Sequence, residues 1–128
     1  MSYYFSAVLS VPFDAAVQRV VEVLKQEGFG IITEIDVKDT LKKKINVDFH
    51  RYLILGACNP TLAYEALQLE DKVGTMLPCN VIVQEIAQDK TEVATIDPVA
   101  SMQAIDNHQL KQAALKVQVK LHKVIESL

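Results

Sequence analysis

The short turn at residues 88–90 constrains this chain more than any other feature. Two apolar runs, residues 80–87 and 91–96, are separated only by Gln88-Asp89-Lys90. A connection that short cannot carry a crossover, so the two runs must pair antiparallel. A third run, residues 52–58, is apolar at nearly every position and reads as an inner strand of the same sheet. Residues 3–11 alternate, with Tyr3, Phe5, Ala7, Leu9 and Val11 on one side and Tyr4, Ser6, Val8 and Ser10 on the other. That period of two is a strand with one face buried. Residues 29–35 read as a further strand.

The helices carry their own start signals. Pro12 pre-sets helical backbone, and Phe13, Val17, Val20, Val21 and Leu24 recur at helical spacing until Gly28 stops them. Asp36 suits the cap of a short helix over residues 37–45. Asn59-Pro60 and Asp97-Pro98 each join a capping side chain to a proline that lacks only an N–H the first turn does not use. Residues 73–78 read as a loop. Asp106 with Gln109 reads as the capping box of a last helix whose apolar stripe is Leu110, Ala114, Val117, Leu121, Val124 and Leu128. The order is β-α-β-(α)-β-α-β-β-(α)-α. It predicts an α+β fold, a single-layer, mainly antiparallel sheet of about five strands with helices on one face. No Gly-rich phosphate loop follows a strand, which disfavours a dinucleotide-binding fold.

Composition bounds the function classes. The 128 residues suit one domain, residues 1–128, and half of them are apolar. A net charge of −3 speaks against a nucleic-acid binder, which needs a basic footprint. No apolar run approaches the roughly 20 residues of a membrane helix. The start Met1-Ser2-Tyr3-Tyr4-Phe5 lacks the marks of a secretory signal, so a cytoplasmic location is expected. In that reducing compartment the cysteines are expected as thiols.

Those two cysteines, Cys58 and Cys79, are the chain's main chemical signal. They lie in Gly56-Ala57-Cys58-Asn59-Pro60 and Leu77-Pro78-Cys79-Asn80-Val81. If residues 52–58 and 80–87 pair antiparallel, both thiols reach one end of the sheet. Parallel pairing would send them to opposite edges. Cys58 directly precedes a helix N-terminus, where the dipole favours negative charge, and Gly56-Ala57 is expected to leave room above the sheet. The competing reading makes both cysteines small buried hydrophobes. Two thiols without Cys-x-x-Cys spacing form neither a standard redox motif nor a full zinc site. His50 starts the strand that Cys58 ends, and His108 and His122 lie on the last helix, so histidine supplies no evident further ligand. Lys42-Lys43-Lys44, with Lys38 and Arg51, reads as the solvated face of a short helix.

The motif pair Gly56-Ala57-Cys58-Asn59-Pro60 and Pro78-Cys79-Asn80-Val81, together with Asp97-Pro98, Val11-Pro12-Phe13 and Glu34-Ile35-Asp36-Val37, resembles the domain of unknown function 302 family over essentially the whole chain. The resemblance implies a β-α-β(4)-α fold of TATA-binding-protein-like type and a homodimer. It implies no reaction, since the family has no settled activity.

Two function classes follow. In one, the chain holds a two-thiol pocket for redox, sulfur-handling or soft-metal chemistry. Cys58 is then the attacking or ligating sulfur and Cys79 the resolving or second one, while Gly56, Asn59 and Asn80 supply binding backbone and hydrogen bonds. In the other, the same cleft binds a small molecule or a protein partner without catalysis, and both cysteines are packing. The sequence points to no particular cofactor or metal. The half-apolar outer face of the sheet, with Tyr4 and Val8 among its residues, independently suggests a second copy as cover.

Overall fold

Alternation along the strands and caps at the helix starts fix most of the architecture. A computed structural model describes residues 2–128. In chain order it contains β1 (Tyr4–Leu9), α1 (Phe13–Gln26), β2 (Gly30–Asp36), α2 (Val37–Ile45), β3 (Tyr52–Cys58), α3 (Pro60–Leu69), β4 (Cys79–Ala87), β5 (Lys90–Ile96), α4 (Pro98–Ser101) and α5 (His108–Glu126). A 3₁₀ turn at Asp71–Met76 occupies most of the segment expected to be an irregular loop. The sheet has five strands in the order β1-β5-β4-β3-β2, and every neighbouring pair is antiparallel. The fold is α+β, as the residues predict.

One sheet face carries the main core. Leu53, Leu55, Ala57, Val81, Val83 and Val93 are buried on it, beneath Phe13, Ala16, Val20 and Leu24 of α1 and Leu121, Val124 and Ile125 of α5. A second, smaller core gathers Ala66, Val73, Met102, Leu110 and Ala114. Each buried aliphatic side chain removes enough apolar surface to contribute about 1.5–3 kcal/mol. The exposed ion pairs, such as Lys116–Glu65 at 3.2 Å, are worth about 0–1 kcal/mol. The apolar stripes therefore decide the fold. The two buried threonines keep their hydroxyls partnered: Thr91 donates to the Val11 carbonyl at 3.0 Å and Thr95 to the Ile96 carbonyl at 3.4 Å.

Most caps are those expected. Asp36 accepts from the Asp39 N–H, Asn59 from Leu62 and Asp97 from Val99. The last helix differs. Its cap is Asn107, not Asp106: the Asn107 carbonyl oxygen accepts from the Leu110 N–H at 3.0 Å, and its amide donates to the Leu69 carbonyl at 2.9 Å. An amide can do both because it is donor and acceptor at once, whereas a carboxylate only accepts. That second bond ties the start of α5 to the end of α3.

The open face of the sheet is mixed. One row of register partners, Ser6, Ala94, Ile82, Ile54 and Ile35, runs across all five strands and is apolar beyond β1. Beside the β2 edge, α2 buries none of its side chains. Ile45 is 63% exposed there, and the ion pairs Lys42–Asp48 and Lys43–Asp39 lie at the surface.

Gly56 was expected to leave space above the sheet, but the structure fills that space. A β-carbon at Gly56 would collide with Thr33 Oγ1 and come within 2.7 Å of Pro78 Cγ. Gly56→Ala should therefore destabilise the protein by about 1–3 kcal/mol, the usual cost of overpacking. Urea unfolding checks this, and adding Thr33→Ala should recover part of the loss, since the Pro78 ring remains.

Candidate functional site

Antiparallel pairing of β3 and β4 sets the site. Ala57 is the register partner of Cys79, so the end of β3 lies beside the start of β4 and the parallel alternative is excluded. Both cysteines reach the same end of the sheet and both are free thiols. In the register they are offset by one residue. Successive side chains of a strand point to opposite faces, and the residue opposite Cys79 is Ala57. Cys58, one residue further on, meets the site from the strand end.

What they border is a cavity of about 280 Å³. It is walled by the ends of β3 and β4, by Phe29, and by the facing sides of α3 and α5. Its position has a clear cause. Phe29 and Ala57 belong to the main core, while Ala66, Met102, Leu110 and Ala114 belong to the second. The cavity lies at the seam between them, where the chain places small side chains: Ala57, Ala63, Ala66, Ala113 and Ala114. Larger residues there would have merged the two cores.

Among the described residues that line the cavity, none is charged. Its polar groups are the two thiols and the Asn59 amide, and the Asn59 carbonyl oxygen is already used in capping α3, at 3.2 Å from the Leu62 nitrogen. Desolvation by these walls, and secondarily the nearby Cys58 sulfur, pushes the Cys79 thiol from its ordinary 9.0 up to about 11. Cys79 is thus a neutral S–H at physiological pH. Cys58 sits just ahead of the Asn59 cap, at the start of α3.

The other residues singled out in the sequence separate by position. Asn59 lines the cavity, as expected of a binding residue. Asn80 does not. It pairs with Gly56 and lines a groove on the open sheet face, together with Tyr4 and Tyr52. Gly56 is covered by Thr33 and Pro78 and offers no open backbone. No group of three or more metal-binding side chains occurs among the described residues. His50 is engaged with Gln84 at 2.8 Å, and His122 with Glu126 at 2.6 Å. Leu62, Ala63, Ala66 and Leu67 read as the buried face of α3, and Ala114 as part of the α5 stripe; Ala113, and the cavity where the two faces meet, did not show in the sequence. What marks the cavity is the small size of Ala63, Ala66, Ala113 and Ala114, where the two helices meet.

The family profile described as "Domain of unknown function DUF302" matches residues 5–128. This chain belongs to the DUF302 family. A similar solved structure is the "uncharacterized conserved protein DUF302 from Bacillus stearothermophilus". It shares 27% identity, with 98% of each chain covered and a TM-score of 0.90. No curated protein matches. As in the sequence, no helix among the described residues is long and apolar enough to cross a membrane.

The raised Cys79 thiol makes a prediction with a definite sign. As pH rises, the unfolded thiol ionises first, near 9.0, and the folded one only near 11. The fold favours the neutral form, so its contribution is present below pH 9 and is lost between 9 and 11. The loss should be roughly 2–3 kcal/mol. Chemical denaturation across that range checks it: the stability difference between the native protein and Cys79→Ala should shrink by this amount, whatever constant offset the substitution adds.

Proposed function

We propose that this DUF302 protein is a small-molecule binding module whose ligand occupies the cavity between α3, α5 and the sheet end. One observation carries this reading: the cavity wall is apolar and uncharged over nearly its whole extent. Such a site excludes water and rewards burial of apolar surface, the usual character of a ligand pocket. It is a poor place for a phosphate, sugar or metal ion, which would be stripped of hydration without replacement. A soft metal would need both thiols as thiolates, and burial opposes that at Cys79.

Uncharged N-phenyl-1-naphthylamine is a suitable reporter. Its fluorescence should rise saturably with one molecule bound per chain. Ala63→Phe, which adds a ring into the cavity from its half-buried rim, should weaken binding at least tenfold while the unfolding midpoint holds. Binding unchanged by that substitution would remove the cavity from consideration.

A second reading keeps the thiol pair as a redox couple, with Cys58 attacking and Cys79 resolving. It is favoured by the adjacency of the β3 end and the β4 start. The protonated state of Cys79 weighs against it.

We also propose that the protein is a homodimer through its open sheet face. The apolar row Ala94, Ile82, Ile54 and Ile35 supports this, as do the exposed Val8 and Ile86. A charge placed in that row would have to be buried between the two copies. Ile54→Glu should therefore convert a dimer to a folded monomer in sedimentation at micromolar concentration, and a native protein that sediments as a monomer would defeat the proposal.

A further inference from the structure

The cavity's walls identify the molecules it can hold, but they offer little to retain them. Asn59 is the one hydrogen-bonding side chain apart from the thiols, and its acceptor oxygen is committed to the Leu62 N–H. The remaining chemical handles are the two sulfurs. They differ in placement. Cys79 lies in the wall, packed against the main core. Cys58 closes β3 and is half-buried, at the start of α3. A nucleophile at the edge of a small uncharged cavity selects reagents by what the cavity admits.

We propose that the cavity's ligands are uncharged, apolar electrophiles with a carbonyl-activated carbon–carbon double bond, captured by addition of the Cys58 sulfur. This rests on the binding-pocket reading above. The step balances without a further reactant. The Cys58 proton passes to water, and the sulfur lone pair forms a carbon–sulfur bond to the β-carbon. The displaced π pair moves onto the carbonyl as an enolate, and one proton returns to the α-carbon. The net change is addition of a thiol across a double bond, with no leaving group and no oxidant. Cys79, still an S–H at neutral pH, lines the same cavity, and the proton that returns to the α-carbon comes from water. Charged thiol reagents and peptide disulfides are disfavoured for the reason that excludes phosphates: the wall offers no counter-charge.

Two maleimides that share a ring test this directly: N-phenylmaleimide and N-(4-carboxyphenyl)maleimide, followed by intact-mass and peptide mass spectrometry on the full chain. The expected result is a single adduct on Cys58, formed at least tenfold faster with the uncharged reagent. The same pair should show little preference on the urea-unfolded protein. Cys79→Ser should keep the adduct at Cys58, and Cys58→Ser should lose it. Ala63→Phe should erase the preference between the reagents. A folded protein that shows the unfolded protein's rate ratio, or reacts first at Cys79, overturns the proposal. If the naphthylamine reporter still binds in that case, the pocket reading survives and only the electrophile falls. If the naphthylamine fails to bind as well, both fall.

Discussion

Both apolar cores depend on α5. Its first half contributes Leu110 and Ala114 to the smaller core, and its second half places Leu121, Val124 and Ile125 on the sheet. A helix of 19 residues extends about 28 Å, long enough to span both. Its direction is fixed from both sides. Asn107 binds its start to α3, and Gln118 donates to the two carboxylate oxygens of Asp97 at 3.0 and 3.2 Å. Because α5 is held at both cores, the seam between them is not closed by collapse. The cavity is what remains between two well-packed regions when the residues between them are small.

That origin explains which parts of the protein were legible beforehand. The 88–90 turn, the strand alternation and the Asn59-Pro60 and Asp97-Pro98 starts are local signals, and local signals survive in one dimension. The shared sheet end of Cys58 and Cys79 followed from them. The one-residue offset did not, because register is set by which side chains the whole sheet buries, and a slip of one residue reverses every face. Asp106 and Asn107 are neighbours with similar capping ability; the carbonyl of Leu69, distant in sequence, selects the amide. The cavity was invisible for a related reason. Alanine is a good helix former, so Ala63, Ala66, Ala113 and Ala114 look like ordinary helix until α3 and α5 are seen to meet there.

The two cysteines show how near-identical motifs acquire different chemistry. Each is followed by asparagine and each borders the same cavity. Yet Asn59 caps a helix and Asn80 continues a strand, so their side chains leave in different directions. Cys58 stands at the start of a helix, and Cys79 is walled by apolar side chains. Desolvation dominates at Cys79, where burial outweighs any neighbouring group as the cause of its raised thiol.

The α2 helix stands apart from this economy of burial. It has nine residues, shorter than an isolated helix that holds itself together in water, and none of its side chains is buried. Its integrity comes from the Asp36 cap, the left-handed Asn46 at its end and its tether to the β2 edge. The bonds that secure it are few and wet, so it can open and reclose while both cores stay intact. Between α2 and β3, Asn46 closes α2, His50 meets Gln84 and Arg51 is bonded to Glu85 and Asp14, whereas residues 47–49 carry no regular structure and are exposed. This is where the chain can be lengthened or cut at least cost to the rest, and where a fused domain would find a natural point of attachment.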